Sequence, residues 1–421
     1  MKTALCVISL LCALSSGAVA GPQADWSWQL SGHSEQLRPQ SLTGEAQHSE
    51  VRALDVRLDA SLHWNSLTGL VAFRSDNVFS SDDSKADHDL IVQELFWQSD
   101  AEVAGIPLDF SLGKMRLDWG VGYGYRPLNI LKSYQRNPVG IQVEEGAGVA
   151  MASYFDGTGE WALIASDASW ARETEDEYEK NTRQKGFGLR RYALLGDTEL
   201  QAVAYYDQIR RGLLGASAVT VLNEAWEVHG SLLAQHRYKA YQQHGLYAPV
   251  TLETARHAYQ LLAGINWANT AGVNIIGEYW YDSRSWNHHQ WHQALSRSRH
   301  LRQNPATSLL ARSYASGLNH ANIAEHNLML HMSLDSGAWS QWQWSQRYLW
   351  LGNFEPTFDV LISPSDGGVI ATQWLDYTLC DSGEASFKLE LAGRFYTGKS
   401  GSVYASLPDK QVILLNLKGN F

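Results

Sequence analysis

Gln411-Val-Ile-Leu-Leu-Asn-Leu-Lys-Gly-Asn-Phe421 places Ile413, Leu415, Leu417 and Phe421 on one face of a strand and Asn416, Lys418 and Asn420 on the other. Side chains alternate with a period of two along a strand. A strand of about this length, apolar on one face only, is what crosses the hydrocarbon of an outer membrane at a tilt. The same scheme recurs upstream. In Ser386 to Tyr396, Phe387, Leu389, Leu391 and Phe395 oppose Lys388, Glu390 and Arg394. Charges on the inner face of a small soluble sandwich would be costly, whereas a water-filled lumen tolerates them. Glu325 to Leu334 and Ala271 to Tyr281 read alike, with Leu328, Leu330, Met332, Val273, Ile275 and Tyr279 outward. So does Trp339 to Leu351, with Trp342, Trp344, Tyr348 and Trp350 outward against Gln341, Gln343, Ser345 and Arg347.

The last eleven residues resemble the closing strand of Gram-negative outer-membrane β-barrels, where a terminal Phe and alternating apolar residues form the signal read by the assembly machinery. The resemblance assigns that role to Phe421 and makes outer-membrane lipid and lipopolysaccharide the surroundings. Gly419 stands where the pattern often has an aromatic. At the other end, Met1-Lys2-Thr3 is a short basic start, Ala4 to Leu14 is apolar, and Ala18-Val19-Ala20 is a small-residue cleavage site. Residues 1–20 therefore read as a secretory signal peptide, their apolar stretch being too short to span a bilayer. Cys6 and Cys12 leave with it, and Cys380 alone excludes an intramolecular disulfide.

The chain has 421 residues, a formal net charge of −11, and 17 Trp and 19 Tyr against 11 Phe. That aromatic balance is inverted for a soluble core and suits the wet-edged girdles of membrane barrels. The acidic balance argues against nucleic acid. No Pro/Ser-rich linker divides residues 21–421, which are expected to form one all-β antiparallel transmembrane barrel of about 18 strands. Tight turns at Asp156-Gly-Thr-Gly159, Leu195-Gly-Asp197, Trp267 to Thr270, Asp335-Ser-Gly337 and Asp381-Ser-Gly383 are expected at the periplasmic end. Longer connections, including Ser75 to Asp87, Ser169 to Lys185, Arg237 to Glu253, Asp282 to Ala321, Gly352 to Gly368 and Thr397 to Lys410, are expected outside.

One segment differs in composition. Gly120 to Pro138 is rich in glycine and apolar residues, and Leu128, Ile130 and Leu131 would have no use in water. It is expected to fold inward against the barrel wall and narrow the lumen. The block Gly113-Lys-Met-Arg-Leu-Asp-Trp-Gly-Val-Gly-Tyr-Gly-Tyr-Arg-Pro-Leu-Asn resembles a pattern in large porin-like and polysaccharide-export-like barrels. Lys114, Arg116, Asp118, Arg126, Lys132, Arg136, Glu144 and Glu145 are the candidate constriction residues, and Lys388, Glu390 and Arg394 are expected to face the lumen. Opposed charges across a pore select polar or ionic solutes; the same pairs could also simply brace a folded loop. Leu108, Phe110 and Leu112 share the parity of Lys114 and Arg116, so either a bulge lies near Gly113 or the lower strand faces a plugged interior.

These features point to a channel for small polar or anionic solutes, or for an exported polysaccharide, with no cofactor. The alternative is a non-conducting receptor or adhesin displaying the 282–321 loop. His288 and His292 are spaced to bind a metal if that loop is helical, but two histidines do not make a site. The acidic run Glu173 to Glu179 lacks the glycine and spacing of a calcium loop. Ser316 with His320, or Ser285 with His288, could be drawn as a nucleophile and base, yet no catalytic motif accompanies either pair, and an enzyme is not expected.

Overall fold

A computed structural model describes residues 21–82, 84–131, 141, 143–171 and 177–421, with the backbone only for residues 177–179. The signal-peptide segment, Lys132, Arg136 and the acidic residues 173–176 lie outside the described residues. Eighteen strands form one closed antiparallel sheet. They are β1 (Gln23–Leu37), β2 (Glu50–Trp64), β3 (Leu67–Ser80), β4 (Asp87–Val103), β5 (Ile106–Met115), β6 (Ala147–Asp156), β7 (Gly159–Asp167), β8 (Lys185–Leu195) and β9 (Thr198–Asp207). The second half comprises β10 (Leu213–Asn223), β11 (Trp226–Gln242), β12 (Thr251–Ala268), β13 (Val273–Asp282), β14 (His326–Leu334), β15 (Phe354–Ser363), β16 (Gly368–Asp381), β17 (Ser386–Gly398) and β18 (Asp409–Asn420).

Each strand pairs with its sequence neighbours, and β18 returns to β1 with Leu30 opposite Leu417 and Ser27 opposite Asn420. Closure leaves no sheet edge unpaired, which matters most where no water can satisfy one. At the seam the Phe421 ring stacks on Trp26 at 4.1 Å, and the Trp28 indole occupies the space a side chain at Gly419 would need. Thus the aromatic missing from position 419 is supplied by the neighbouring strand.

Burial is inverted relative to a soluble protein. Outward Leu328, Leu391 and Leu415 are about half exposed, while inward Glu278, Glu390 and Asn416 are at most 3% exposed. Soluble monomers do not carry a continuous apolar band of this extent, and lipid is the solvent that stabilises it.

Two expectations are corrected at the end where the turns are short. Residues 339–351 are not a strand; they form 3-10 turns at Ser336–Gln341, Ser345–Arg347 and Leu349–Asn353. The Ser345 hydroxyl donates to the carbonyls of Trp339 and Trp342, and the Gln346 amide donates to the Ser340 carbonyl at 2.8 Å. These local bonds compete with a ladder. The sequence permitted this, since Trp339, Trp342, Ser345, Tyr348 and Leu351 recur every third residue, the 3-10 period. Asp335-Ser-Gly337 therefore opens a long connection instead of closing a tight turn. Correspondingly, Gly352 to Gly368 is not a loop: it holds β15 and a tight turn at residues 364–367, on the end expected to carry only long connections. The weakly patterned stretch Gln201 to Gly230 does form β9, β10 and the start of β11.

Residues 283–325 depart from the polar surface loop expected. They fold into the helix His288–Arg302, a second short helix Ser308–Ser313 and flanking 3-10 turns. Asn287 opens the long helix with a capping box to Gln290. Its apolar residues Trp286, Trp291, Leu295 and Leu301 are buried with Tyr314, against Tyr241 and Val250 of the wall and Ile370 and Tyr404 across the mouth. The connection is a packed cap.

Candidate functional site

The interior site begins at Gly113, where φ is +140° and a side chain would collide with the Leu95 carbonyl. Leu112 is exposed there, whereas Lys114, two residues on, is buried. The ladders from the glycine to Phe96 and to Val149 run without a register shift, Met115 packs inward with the inner cluster, and the chain leaves the sheet after Met115. The bulge the parity allowed near Gly113 is not formed; the nearest register shift lies in the β3–β4 pairing, between Leu70 and Val71.

Residues 116–131 then run inside the barrel. Trp119, Leu128, Ile130 and Leu131 pack on inward Val149, Ile164, Val203, Tyr205, Leu213 and Leu233, and Tyr125 packs on Leu262, Trp280 and Met329. Gly124 lies so close to Met329 and Trp280 that a side chain there would overlap them. The backbone is held by wall side chains. Glu278 accepts from the amides of Tyr123 at 2.6 Å and Gly124 at 2.8 Å, with His229 Nε2 at 2.9 Å. Gln201 and Gln184 donate to the carbonyls of Trp119, Ile130 and Leu131, and Arg210 donates to Ile130 at 2.8 Å. Within the segment, Asn129 Oδ1 accepts from the amides of Trp119 and Gly120.

A second cluster joins this segment to the cap. The Tyr125 hydroxyl lies 2.6 Å from Gln260 Oε1 and 2.9 Å from Asp282 Oδ2. Asp282 also accepts from Arg284 and from Asn322 Nδ2 at 2.8 Å, and Asn322 Oδ1 accepts from Trp280 Nε1. Burial, reinforced by the Asp282 carboxylate, holds the Tyr125 hydroxyl protonated far above its ordinary range. In the cap, burial lowers the His320 pKa to about 4. This imidazole lies within hydrogen-bonding reach of the Gly317 carbonyl through Nδ1 and accepts from the Tyr241 amide through Nε2.

Between segment, cap and wall lies a cavity of about 1000 Å³. Its basic lining consists of Arg116, Arg126, Arg183, Arg210, Lys239, Arg284 and Arg394, and its acidic lining of Glu94, Asp118, Glu144, Glu145 and Asp359. Arg116 lies 3.0 Å from Glu94 and 3.7 Å from Glu144, and Arg126 pairs with Asp118. Lys114, expected at the constriction, is buried in a pair with Glu145 behind the lining. Glu390 lies lower in the lumen, bonded to Asn416 and Lys418; Lys388 shares its face. Glu278, Asp282, Tyr125, Gln260 and Arg210 were not singled out in the sequence, although inward parity on β13 marks Glu278 and Asp282 as charges inside a strand otherwise rich in Ile, Tyr and Trp.

His288 and His292 do sit one turn apart on a helix, ring centroids 6.4 Å apart and exposed, but among the described residues no third ligand joins them. Neither drawn nucleophile pair is assembled: both nitrogens of His320 are engaged with the backbone, and the Ser285 hydroxyl donates to the Asn322 carbonyl at 2.6 Å.

No protein-family model matches the sequence, and no curated protein matches it significantly. Solved structures do match the fold. OccAB1 of Acinetobacter baumannii superposes with a TM-score of 0.55 at 10% identity, over 97% of this chain and 98% of that one. OccAB3 of the same organism gives 0.54 at 8% identity, over 96% and 100%. OccK8 (OprE) of Pseudomonas aeruginosa gives 0.52 at 9%, over 96% and 100%. These are outer-membrane porins, and the chain, whose own sheet is a closed 18-strand barrel, shares their fold.

Proposed function

We propose that this chain is an integral outer-membrane channel for small polar solutes, with the segment from Gly120 onward narrowing its lumen. The supporting observation is the charged cavity of about 1000 Å³ held between that segment, the cap and the wall. A lumen lined by ions of both signs and closed to lipid passes hydrated solutes, not apolar ones. Basic groups outnumber acidic ones in its lining, which supports a mild preference for anions despite the acidic protein. Exposed charges more than about 8 Å from the lining are largely screened at physiological salt. Arg116 and Arg126 stand in the lining, but their carboxylate neighbours blunt their field. Export of a polysaccharide is the less favoured version, since the cap and the inward segment leave a cavity and not a broad bore.

The orientation proposed places the short turns in the periplasm and the cap outside, after export directed by residues 1–20. Conductance of the purified protein in a planar bilayer tests the reading, and reversal potentials in a salt gradient test its sign. Anion preference that falls when Arg116 and Arg126 are both changed to Glu supports it. Clear cation selectivity in the wild type removes these residues from the ion path. A folded protein that conducts neither as wild type nor after excision of residues 120–138 favours a surface receptor, for which the folded cap would be the displayed element.

A further inference from the structure

The 335–353 connection is the one long excursion at the end of the barrel where every other described connection is a tight turn. Three of its polar side chains bond backbone carbonyls. Ser345 is buried and bonds the Trp339 and Trp342 carbonyls, Gln346 bonds Ser340, and Gln341 bonds the Thr270 carbonyl of the adjacent hairpin turn. Ala338 and Leu351 are buried, but four large apolar or aromatic side chains face out: Leu349 is 89% exposed, Trp344 57%, Trp350 54% and Tyr348 52%. A segment folded in water would bury most of these large apolar groups. The same inversion marks the barrel's exterior, and the two surfaces are continuous. Phe354, level with outward Tyr377 on the neighbouring strand, touches both Trp339 and Trp350, at 6.2 and 6.1 Å between ring centroids. Trp339 Nε1 donates to the Phe354 carbonyl, fixing the excursion against the outer face of the rim.

We infer that residues 335–353 form an in-plane membrane anchor, lying in the headgroup boundary of the leaflet at the short-turn end, with Trp344, Tyr348, Leu349 and Trp350 inserted among phospholipid chains. Trp and Tyr favour that boundary because one end of the ring is apolar and the other wet, and Arg347 stands among them to meet lipid phosphate. The excursion replaces a transmembrane register with an interfacial one, as an amphipathic surface helix does. The inference rests on the membrane reading above.

Nitroxide labels distinguish the two. In a Cys380→Ser background, single cysteines at Leu349→Cys and Trp350→Cys are labelled and the protein is reconstituted in phosphatidylethanolamine and phosphatidylglycerol vesicles. Leu415→Cys reports the barrel's lipid face and Ser382→Cys a tight turn at the same end. Power saturation by oxygen, which concentrates in lipid, is compared with saturation by a water-soluble nickel chelate. Labels at 349 and 350 are expected to favour oxygen, at shallower depth than 415. Nickel access equal to that of 382 overturns the anchor while leaving the barrel in the membrane, and so does shielding from both agents, which means protein covers the segment. Nickel access at 415 overturns the membrane reading itself.

Discussion

Two tryptophan-rich connections sit at opposite ends of the barrel and resolve the same side chain in opposite ways. In the cap, Trp286 and Trp291 are almost wholly buried, and each indole N–H finds a backbone carbonyl, of Tyr241 and Ile323 respectively. In the 335–353 excursion, Trp344 and Trp350 are more than half exposed. Local propensity does not separate them, since both segments turn helically and both carry Ser, Gln and Trp. The surroundings do. The cap closes over a protein-lined mouth and must make its own core, whereas the excursion borders lipid and has an apolar solvent already.

The comparison breaks most directly at the cap's core. Trp286→Ala should cost about 3–5 kcal/mol of cap stability, read as a lowered thermal transition in detergent, whereas Trp344→Ala should change it little. Equal losses would show that the excursion, too, is packed by protein. Next in size is the barrel's lipid face. Leu391→Arg should destabilise by about 2–4 kcal/mol in a bilayer near its midplane, while Lys388→Glu, on the lumen side of the same strand, should be tolerated; unfolding titrations from vesicles compare the two. Equal tolerance would invert the face assignment.

The cap carries an acid dependence. His320 is neutral and buried, with its folded pKa lowered to about 4, so its contribution to stability is fully present above the ordinary imidazole value of about 6.5. As pH falls toward 4, the unfolded or opened cap takes up the proton first, and the loss reaches on the order of 3 kcal/mol. Cap opening, followed by hydrogen exchange of residues 288–319, should rise across that window, and His320→Gln should flatten the rise. A smaller effect tests the inward segment. Glu278→Gln keeps one acceptor but removes the charge that holds the Tyr123 and Gly124 amides, a loss of about 1–3 kcal/mol. Increased current noise at unchanged barrel stability is the expected outcome.

Legibility in the sequence followed the range of the forces involved. Period-two alternation in β13, β14, β17 and β18 is local and one-sided burial enforces it, so those strands and their faces could be read; the count of about eighteen agreed because the false strand at 339–351 stood in for the missed β15. The inward turn after Gly113 was also visible, because Leu128, Ile130 and Leu131 in a loop demand a covering surface. What covers them could not be read: the latch at Glu278 joins residues more than 150 positions apart, and alternation says only that Glu278 points inward. Residues 339–351 misled because their aromatics satisfy periods of two and three at once, and the choice fell to the Ser345 hydroxyl. The cap misled because its apolar residues are diluted by the histidines, arginines and glutamines of its outer face.

The seam between β1 and β18 has a bearing on how such a ring can come into being. Leu30 meets Leu417 across nearly the whole chain, and until they meet both flanking strands present a row of unsatisfied N–H and C=O groups. In hydrocarbon each such group costs several kcal/mol, so a sheet of seventeen strands in lipid is not a slightly weaker version of this protein but a forbidden one. Assembly must therefore shield two edges at once until the first and last strands zip together, and the finished structure has no partially open state to fray into.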